Sequence, residues 1–162
     1  MMTTPHATRV TRWVLRPIDE VFDALSDPET YPRWLVGCRT IRSIDDHWPS
    51  EGSRFHHRVG LIGPLTVPDS SEVLEVERPS HLALEVRFRP LGRGRVDFRL
   101  SADPTVDGQS RTRIDMDEAP IGPLAPTAPA LAPLISGRNQ ASLNSLVAYL
   151  NEPDVAHGGT SG

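Results

Sequence analysis

The sequence predicts an α+β domain in which one long C-terminal helix packs against an antiparallel β-sheet. Between residues 8 and 117, short segments of alternating apolar and polar residues are separated by turn-forming residues, as in strands joined by turns. These connections are too short for parallel crossovers, which need a dozen or more residues, so neighbouring strands are expected to be antiparallel. One long amphipathic segment follows, Ala130–Leu150, and its apolar stripe must be buried against that sheet.

One strand and two short helices open the predicted domain. Thr8–Arg16 alternates in the manner of a strand, and Pro17 ends that strand and starts a helix over Ile18–Leu25. Asp27-Pro28 ends this helix, and a second helix of one or two turns is predicted over Glu29–Trp34. The six further strands are predicted at Arg39–Asp45, Ser53–Leu61, Leu65–Glu77, His81–Arg89, Arg95–Ala102 and Ser110–Asp117.

The last helix has one stripe of residues at three- and four-residue spacing, which is typical of a buried helix face. The stripe consists of Ile135, Asn139, Leu143, Leu146, Val147 and Leu150. Pro133 is acceptable only because it lies near the start of the helix, and Pro153 marks its end. Gly137 costs about 1 kcal/mol relative to alanine inside a helix. We therefore expect it to leave room for a ligand, with a tolerated irregularity as the alternative.

The segment before this helix has proline at every third position. These residues are Pro120, Pro123, Pro126 and Pro129. Such spacing suits a polyproline II segment of the kind that an SH3-like partner reads. A stiff connector that leads into the helix is the favoured interpretation, because the basic residues that flank such ligands are missing.

Length and composition indicate one domain over residues 8–150, with a flexible tail at 1–7 and a disordered tail at 151–162. The chain has no apolar run long enough for a transmembrane helix, and its start lacks the apolar segment of a signal peptide. A cytoplasmic location without stable membrane insertion is therefore expected. Cys38 is the only cysteine, which excludes an internal disulfide and a multi-cysteine metal site.

The charge pattern argues against nucleic-acid binding. Net charge is −4, and all 17 basic residues are arginine, whereas nucleic-acid binding needs a concentrated basic face. Neither a nucleophile elbow nor a phosphate-binding glycine loop occurs in the sequence. His56 and His57 point to opposite faces of a strand and make a poor metal pair. We expect no cofactor and no metal, and the sequence is compatible with a homodimer.

Leu15–Trp34, with the sequence LRPIDEVFDALSDPETYPRW, closely resembles the opening of START/Bet v 1-like proteins, the SRPBCC superfamily of polyketide cyclases and lipid-transport proteins. The matching features are Leu15, Pro17, Val21-Phe22, Asp27-Pro28 and Trp34, with further matches at Glu51-Gly52 and Arg78-Pro79. The resemblance covers roughly residues 8–150. It implies a helix-grip fold, in which a curved seven-stranded antiparallel sheet wraps round the C-terminal helix and encloses an apolar cavity.

Strand alternation predicts which side chains face that cavity. The candidate ligand-binding residues are Trp34, Phe55, Leu74, Val86, Phe88, Phe98, Thr112, Ile114, Met116, Asn139, Leu143, Leu146 and Val147. Polar groups on this face are informative, because burying them without a partner costs a few kcal/mol each. Asn139 is one of them, and it bonds either a ligand or, as the common alternative, backbone or water.

His57 and Glu72 are the candidate catalytic pair. If their strands pair through the Gly63-Pro64 turn, both side chains reach one interior, where the carboxylate favours the imidazolium. Such a pair suits proton transfer in an aldol cyclisation or dehydration. Two alternatives stay open: a satisfied structural pair, or a one-residue phase error at Pro68–Ser71 that places Glu72 in solvent.

The opposite phase of the strands is charged and of mixed sign. Its residues include Glu85, Arg87, Arg89, Arg95, Asp97 and Arg99. We expect an outer sheet face with cross-strand ion pairs.

Three functions are compatible with this reading. The first is binding of a hydrophobic small molecule, a lipid or polyketide-like compound, in the internal cavity. The second is an enzyme of the polyketide cyclase or dehydratase type that uses the cavity's acid and base residues. The third is a partner-binding, chaperone-associated domain, as some relatives of this fold are. The resemblance fixes the fold more firmly than the activity, because one scaffold hosts many functions.

Overall fold

The structure is a computed structural model that describes residues 7–62, 65–88 and 92–153. Its seven strands form one antiparallel sheet in the order β1-β7-β6-β5-β4-β3-β2. The strands are β1 Thr8–Val14, β2 Cys38–Ile44, β3 Arg54–Ile62, β4 Leu65–Glu77, β5 His81–Phe88, β6 Gly92–Val106 and β7 Gln109–Ile121. The helices are α1 Ile18–Ser26, α2 Tyr31–Trp34 and α3 Ala128–Leu150. The predicted helix-grip architecture is confirmed.

The two short helices connect β1 to β2, with α1 packed on β6 and β7 and α2 packed on β2 and α3. Pro17 precedes α1, whose buried face contains Val21, Phe22 and Leu25. The Asp27 carboxylate accepts the backbone N–H of Glu29 at 3.0 Å and so caps the start of a 3₁₀ segment, Pro28–Thr30, that follows α1. The aspartate-proline pair thus separates α1 from α2, as the sequence predicts.

The long helix α3 packs chiefly against β1, α2 and β7. Its most buried apolar side chains are Leu143, Leu146 and Leu150. Two polar contacts fix its position: the Val36 backbone N–H donates to Ser142 Oγ at 3.0 Å, and Arg16 Nε donates to the Leu150 carbonyl at 2.8 Å. The second bond satisfies one of the carbonyls that every helix C-terminus leaves without an intrahelical partner.

The connector before α3 is a 3₁₀ helix, Gly122–Thr127, and α3 itself begins at Ala128. A polyproline II segment is therefore the wrong description of this stretch. Gly92, at the start of β6, explains how the connector packs. Its φ of +145° suits glycine, and a Cβ on it would lie 2.4 Å from Leu124 Cδ1. The connector thus lies directly against the end of β6.

Gly137 lies on the exposed side of α3, where an added Cβ would meet no atom within 4 Å. The expectation that it makes room for an internal ligand is wrong, because the open space beside it is on the solvent side. Across residues 7–62, 65–88 and 92–153, no helix is both long and apolar enough to cross a membrane. Most of the two tails predicted from the sequence falls outside these residues.

Candidate functional site

The region between the sheet and α3 is mainly apolar. Seven of the predicted ligand-binding residues are buried there: Trp34, Phe55, Phe98, Ile114, Met116, Leu143 and Leu146. Val86 and Val147 are half-buried and pack against the same core. The register explains this agreement, because β5, β6 and β7 pair without interruption through the rows Leu82–Phe98–Met116 and Leu84–Val96–Glu118. Alternation along these strands therefore assigns their inner faces correctly.

Three further residues that were predicted to bind ligand do not belong to this buried apolar group. Leu74 is half-buried but is not among the side chains packed against the core, where Val73 takes the interior position. The Thr112 hydroxyl is buried and donates to the Arg16 carbonyl at 2.7 Å, so it fixes the end of β1. The side chain of Phe88 lies outside the part of the chain that is described.

An aromatic cluster fills the end of the interior next to α2. Tyr31 lies edge to face with Trp34 and with Phe55, with ring centroids 5.1 and 5.3 Å apart. Trp34 Nε1 donates to Thr30 Oγ1 at 3.0 Å, and the Tyr31 hydroxyl donates to the Leu25 carbonyl. Because these polar atoms already have partners, this end of the interior is a packed core.

His57 is the buried polar side chain beside that cluster. It is 4% exposed, and its ring lies 5.1 Å from the ring of Phe55. Its Nε2 is 3.3 Å from Ser71 Oγ, while its Nδ1 has no hydrogen-bond partner within the described chain. Burial, with a smaller effect of neighbouring His56, lowers the pKa of His57 to about 4. The imidazole is therefore neutral at pH 7.

Glu72 does not share the interior with His57, so the predicted catalytic pair is wrong. Its carboxylate lies on the other face of the sheet, 2.6 Å from a guanidinium nitrogen of Arg54. The register places Asp69 opposite His57 and Ser71 opposite Phe55. The inner positions of β4 are thus Asp69, Ser71 and Val73. A register shift between Val73 and Glu75 then returns β4 to the predicted phase.

Asn139 is a polar side chain of α3 that lies in the interior. The residue is fully buried, and neither its amide nitrogen nor its amide oxygen has a hydrogen-bond partner among the described residues. A buried amide usually has at least one partner. The side chain therefore has one donor group and one acceptor group that no described residue bonds.

An ion pair next to Asn139 is a feature that the sequence reasoning missed. Glu118 is 3% exposed, and its two oxygens accept from Arg138 Nη2 at 3.1 and 3.3 Å. The available signal was the alternation of Ile114 and Met116, which reaches Glu118 two residues later on the same face. The prediction ended β7 at Asp117, one residue too early to include it.

A groove of about 350 Å³ lies between the α2–β2 connection and α3, and it opens to solvent. Its lining residues are Pro32, Arg33, Trp34, Leu35, Val36, Gly37, Cys38, Arg39 and Ser145. None of the unpartnered interior groups lines it. The groove thus involves neither His57 nor Asn139.

Comparison with known proteins identifies the fold independently. The family model described as polyketide cyclase/dehydrase and lipid transport matches residues 5–151. No curated protein matches the chain.

Solved structures agree with this match. Protein NE0264 from Nitrosomonas europaea is 19% identical, with 89% of this chain and 93% of that chain covered and a TM-score of 0.68. Ara h 8.0201 is 14% identical, with coverages of 90% and 97% and a TM-score of 0.65. DynU16, a protein of the dynemicin biosynthetic locus, is 18% identical over 90% of this chain and 47% of its own, with a TM-score of 0.59. At these identities the likeness concerns the fold.

Proposed function

The chain belongs to the polyketide cyclase/dehydrase and lipid transport family, and on that basis we propose that it binds a hydrophobic small molecule, a lipid or polyketide-like compound, between the sheet and α3. The observation that carries the proposal is the Asn139 amide, fully buried with both polar atoms unpartnered among the described residues. Leaving such a group unsatisfied costs about 1–3 kcal/mol. A ligand that bonds the amide offsets this loss.

The surroundings of Asn139 support a ligand that is mostly apolar. Leu143 and Leu146 continue its face of α3 towards the C-terminus, and Met116 lies on the facing strand β7. Binding sites for small molecules typically combine such apolar walls with a few polar groups that fix the ligand's orientation. His57 is the second polar group of this kind, because its Nδ1 is buried and unpartnered within the described chain.

Titration with the uncharged fluorescent probe N-phenyl-1-naphthylamine tests the proposal. We expect a saturable, blue-shifted emission with one probe per chain. A panel of lipids and aromatic polyketides should then displace the probe. A protein that leaves the emission of the probe unchanged and carries no lipid in native mass spectrometry would contradict the proposal.

The control uses two neighbouring amides on α3. Asn139→Leu removes the interior amide, and we expect it to weaken displacement by polar ligands about tenfold. Gln140→Leu removes an exposed amide that, among the described residues, bonds Ser136 Oγ alone, at 3.0 Å. It should leave every affinity unchanged. Equal effects of the two variants would place the ligand away from α3.

A cyclase or dehydratase activity is the second candidate, and His57 is the observation that favours it. Its neutral ring has one nitrogen beside Ser71 Oγ and one without a partner within the described chain, so it can accept a proton from a bound substrate. With a pKa lowered to about 4, it is a weak base at pH 7, because general bases work best near their own pKa. For this reason ligand binding is the first candidate function and catalysis the second.

Turnover of a linear poly-β-ketone tests the second candidate. We expect a rate that falls as the pH drops through about 4 and that is lost in His57→Leu. Cyclisation at the same rate in this variant would exclude His57 as the base.

A further inference from the structure

We propose that the groove beside the edge strand β2 is a second binding site, which takes a soluble phosphate monoester through Arg39. Its lining includes neither His57 nor Asn139, so this site goes beyond the proposed function. Three features of the molecule lead to it: the positive charge of this edge, the packing of Arg39 on Gly60, and the composition of the groove.

The edge formed by β2 and β3 has positive charges and no acidic residue. The two strands contain four arginines and neither aspartate nor glutamate. Arg54 pairs with Glu72 of β4 at 2.6 Å. Arg39, Arg42 and Arg58 are exposed, and none of them has an ion-pair partner within the described chain. In a chain of net charge −4, this edge therefore has a local field that attracts anions.

Two β-bulges add arginines to the edge strand. The register shifts between Cys38 and Thr40, so Arg39 is the extra residue of the first bulge, and Arg42 is the extra residue of the second. A bulge changes the direction of a side chain, and bulges are common at sheet edges and beside active sites. Because bulges and charges also prevent an edge from pairing with another chain, the binding role of Arg39 rests on its further contacts.

Gly60 makes room for the Arg39 guanidinium on β3. A Cβ on Gly60 would lie 2.6 Å from Arg39 Nε and 3.3 Å from Arg39 Nη2. The guanidinium therefore packs against the strand backbone, at a place where any larger residue would displace it. Its donors have no acceptor among the described residues, and a planar guanidinium suits the oxygens of a phosphate.

The groove next to Arg39 suits a small organic anion. Its volume of about 350 Å³ is typical of small-molecule sites, and no acidic residue lines it. Ser145 adds a hydroxyl that bonds no described residue, and Val36, which is 43% exposed, adds an apolar surface. Arg33 also lines the groove, but Glu152 lies 2.6 Å from it and offsets its charge. Arg39 is thus the main group for an anion.

A phosphate monoester matches this groove better than a carboxylate does. It has about two negative charges at neutral pH, and its oxygens accept from the guanidinium and from the Ser145 hydroxyl. Cys38 does not repel it, because burial raises the pKa of this thiol to about 11 and keeps it uncharged. A soluble ester fits the concave groove, which a bilayer surface would not enter.

Isothermal titration calorimetry with phenyl phosphate in Tris buffer at pH 7.5 tests the site. We expect one phenyl phosphate per chain, bound about tenfold more tightly than benzoate, which has the same ring and a single charge. A protein that binds no phenyl phosphate, or that binds benzoate equally well, would overturn the proposal.

Arg39→Gln should weaken phenyl phosphate binding about tenfold. Gly60→Ala should have a similar effect without any change in charge, because the added Cβ displaces the Arg39 guanidinium. Arg87→Gln is the matched control. Arg87 also has no ion-pair partner within the described chain, but it lies on β5, three strands from β2, so this variant should keep the wild-type affinity. Equal losses in Arg39→Gln and Arg87→Gln would reduce the effect to net charge and overturn the site.

Two further measurements separate the alternatives. Sedimentation with phosphatidylcholine vesicles that contain phosphatidic acid should leave the protein in solution. Binding to these vesicles without binding of phenyl phosphate would make the edge a membrane contact and the proposal wrong. Titration with N-phenyl-1-naphthylamine reports on the interior and should be the same in wild type and Arg39→Gln. Loss of the phosphate site therefore leaves the proposed function intact, and the reverse also holds.

Discussion

The two faces of the sheet bury polar groups in opposite ways. On the outer face, Asp97 and Asp117 are 5% and 7% exposed, and each is hydrogen-bonded to two basic side chains. On the inner face, Asn139 of α3 and His57 of β3 are equally buried and keep polar atoms without a partner in the described chain. Burial is similar in both places, and only the hydrogen bonding differs.

The outer network satisfies its carboxylates locally. Asp97 accepts from Arg95 at 2.8 and 3.0 Å and lies 2.8 Å from His81 Nε2, while Asp117 accepts from Arg9 at 2.8 Å with both oxygens. Burial raises the pKa of Asp97, but the hydrogen bonds from Arg95 and His81 outweigh it, so the net pKa is lowered. These carboxylates thus have basic partners on the same face of the sheet, and the ion pairs stabilise the fold.

This difference in hydrogen bonding distinguishes groups that stabilise the fold from groups that could bind a ligand. A charged group with all its partners in the chain needs nothing further, whereas a buried amide or imidazole without partners destabilises the protein until something bonds it. We therefore propose that the binding groups lie on the inner face, although the outer face contains many more charges. Variants on each face should accordingly change stability in opposite directions.

The largest effect is expected at Asp97, in the centre of the outer network. Asp97→Ala leaves Arg95 and His81 without their main acceptor, and breaking a buried pair from one side is strongly destabilising. We expect the free energy of unfolding, measured in urea, to fall by about 3 kcal/mol. Asp46→Ala, in an exposed turn, should change it by less than about 0.5 kcal/mol. Equal small losses in the two variants would show that the outer network contributes little.

The pH dependence of stability should show the next largest effect, through His57. Its pKa is lowered from 6.5 to about 4 in the folded state, so between these values the unfolded chain binds a proton that the folded chain does not. Stability therefore falls as the pH drops from 6.5 towards 4 and then levels off, with a total loss of about 2 kcal/mol by pH 4.5. His57→Leu should lack this loss.

Urea titrations of both proteins at several pH values measure the difference. The carboxylates titrate in both, so only the difference between the two curves reports on His57. Parallel curves from pH 7 to pH 4.5 would mean that the ring accepts its proton in the folded state as easily as in the unfolded one.

Sequence patterns predicted the fold because its signals are local. The Pro17 start, the Asp27-Pro28 break and the long stripe of α3 each depend on a few neighbouring residues, and the structure has all three. The inner phase was correct along β5, β6 and β7, where the pairing is regular. It failed along β4, because a register shift between Val73 and Glu75 cannot be seen in an alternating sequence.

The site was only partly predictable. His57 and Asn139 stand out in the sequence because each is a polar residue in an apolar phase, and both are buried in the structure. Whether they have partners depends on residues far away in the chain, so their unpartnered state needed coordinates. To predict Glu118 as an inner residue, β7 had to extend beyond Asp117, where the predicted strand ended. Its partner Arg138 lies 20 positions later in the chain.

A smaller effect of opposite sign is expected at Asn139. Asn139→Leu replaces two unsatisfied polar atoms by an apolar group of similar size, so we expect the protein to become more stable by about 1 kcal/mol while polar ligands bind more weakly. Ser142→Ala, on the same side of α3, removes the acceptor of the Val36 N–H and should destabilise by about 1 kcal/mol. A destabilised Asn139→Leu protein would mean that the amide has a structural role.

The smallest effect should come from an ion pair at the edge of the outer network, and it limits how far the comparison extends. Arg93 lies 3.2 Å from Glu85, but its side chain is 47% exposed, so water and salt screen the attraction. Arg93→Ala should lower the free energy of unfolding by less than about 0.5 kcal/mol, and the difference should vanish in 1 M salt. A loss as large as that of Asp97→Ala would show that exposed and buried pairs of this face act as one cooperative unit. In that case burial would not explain why the ion pairs of the outer face stabilise the fold.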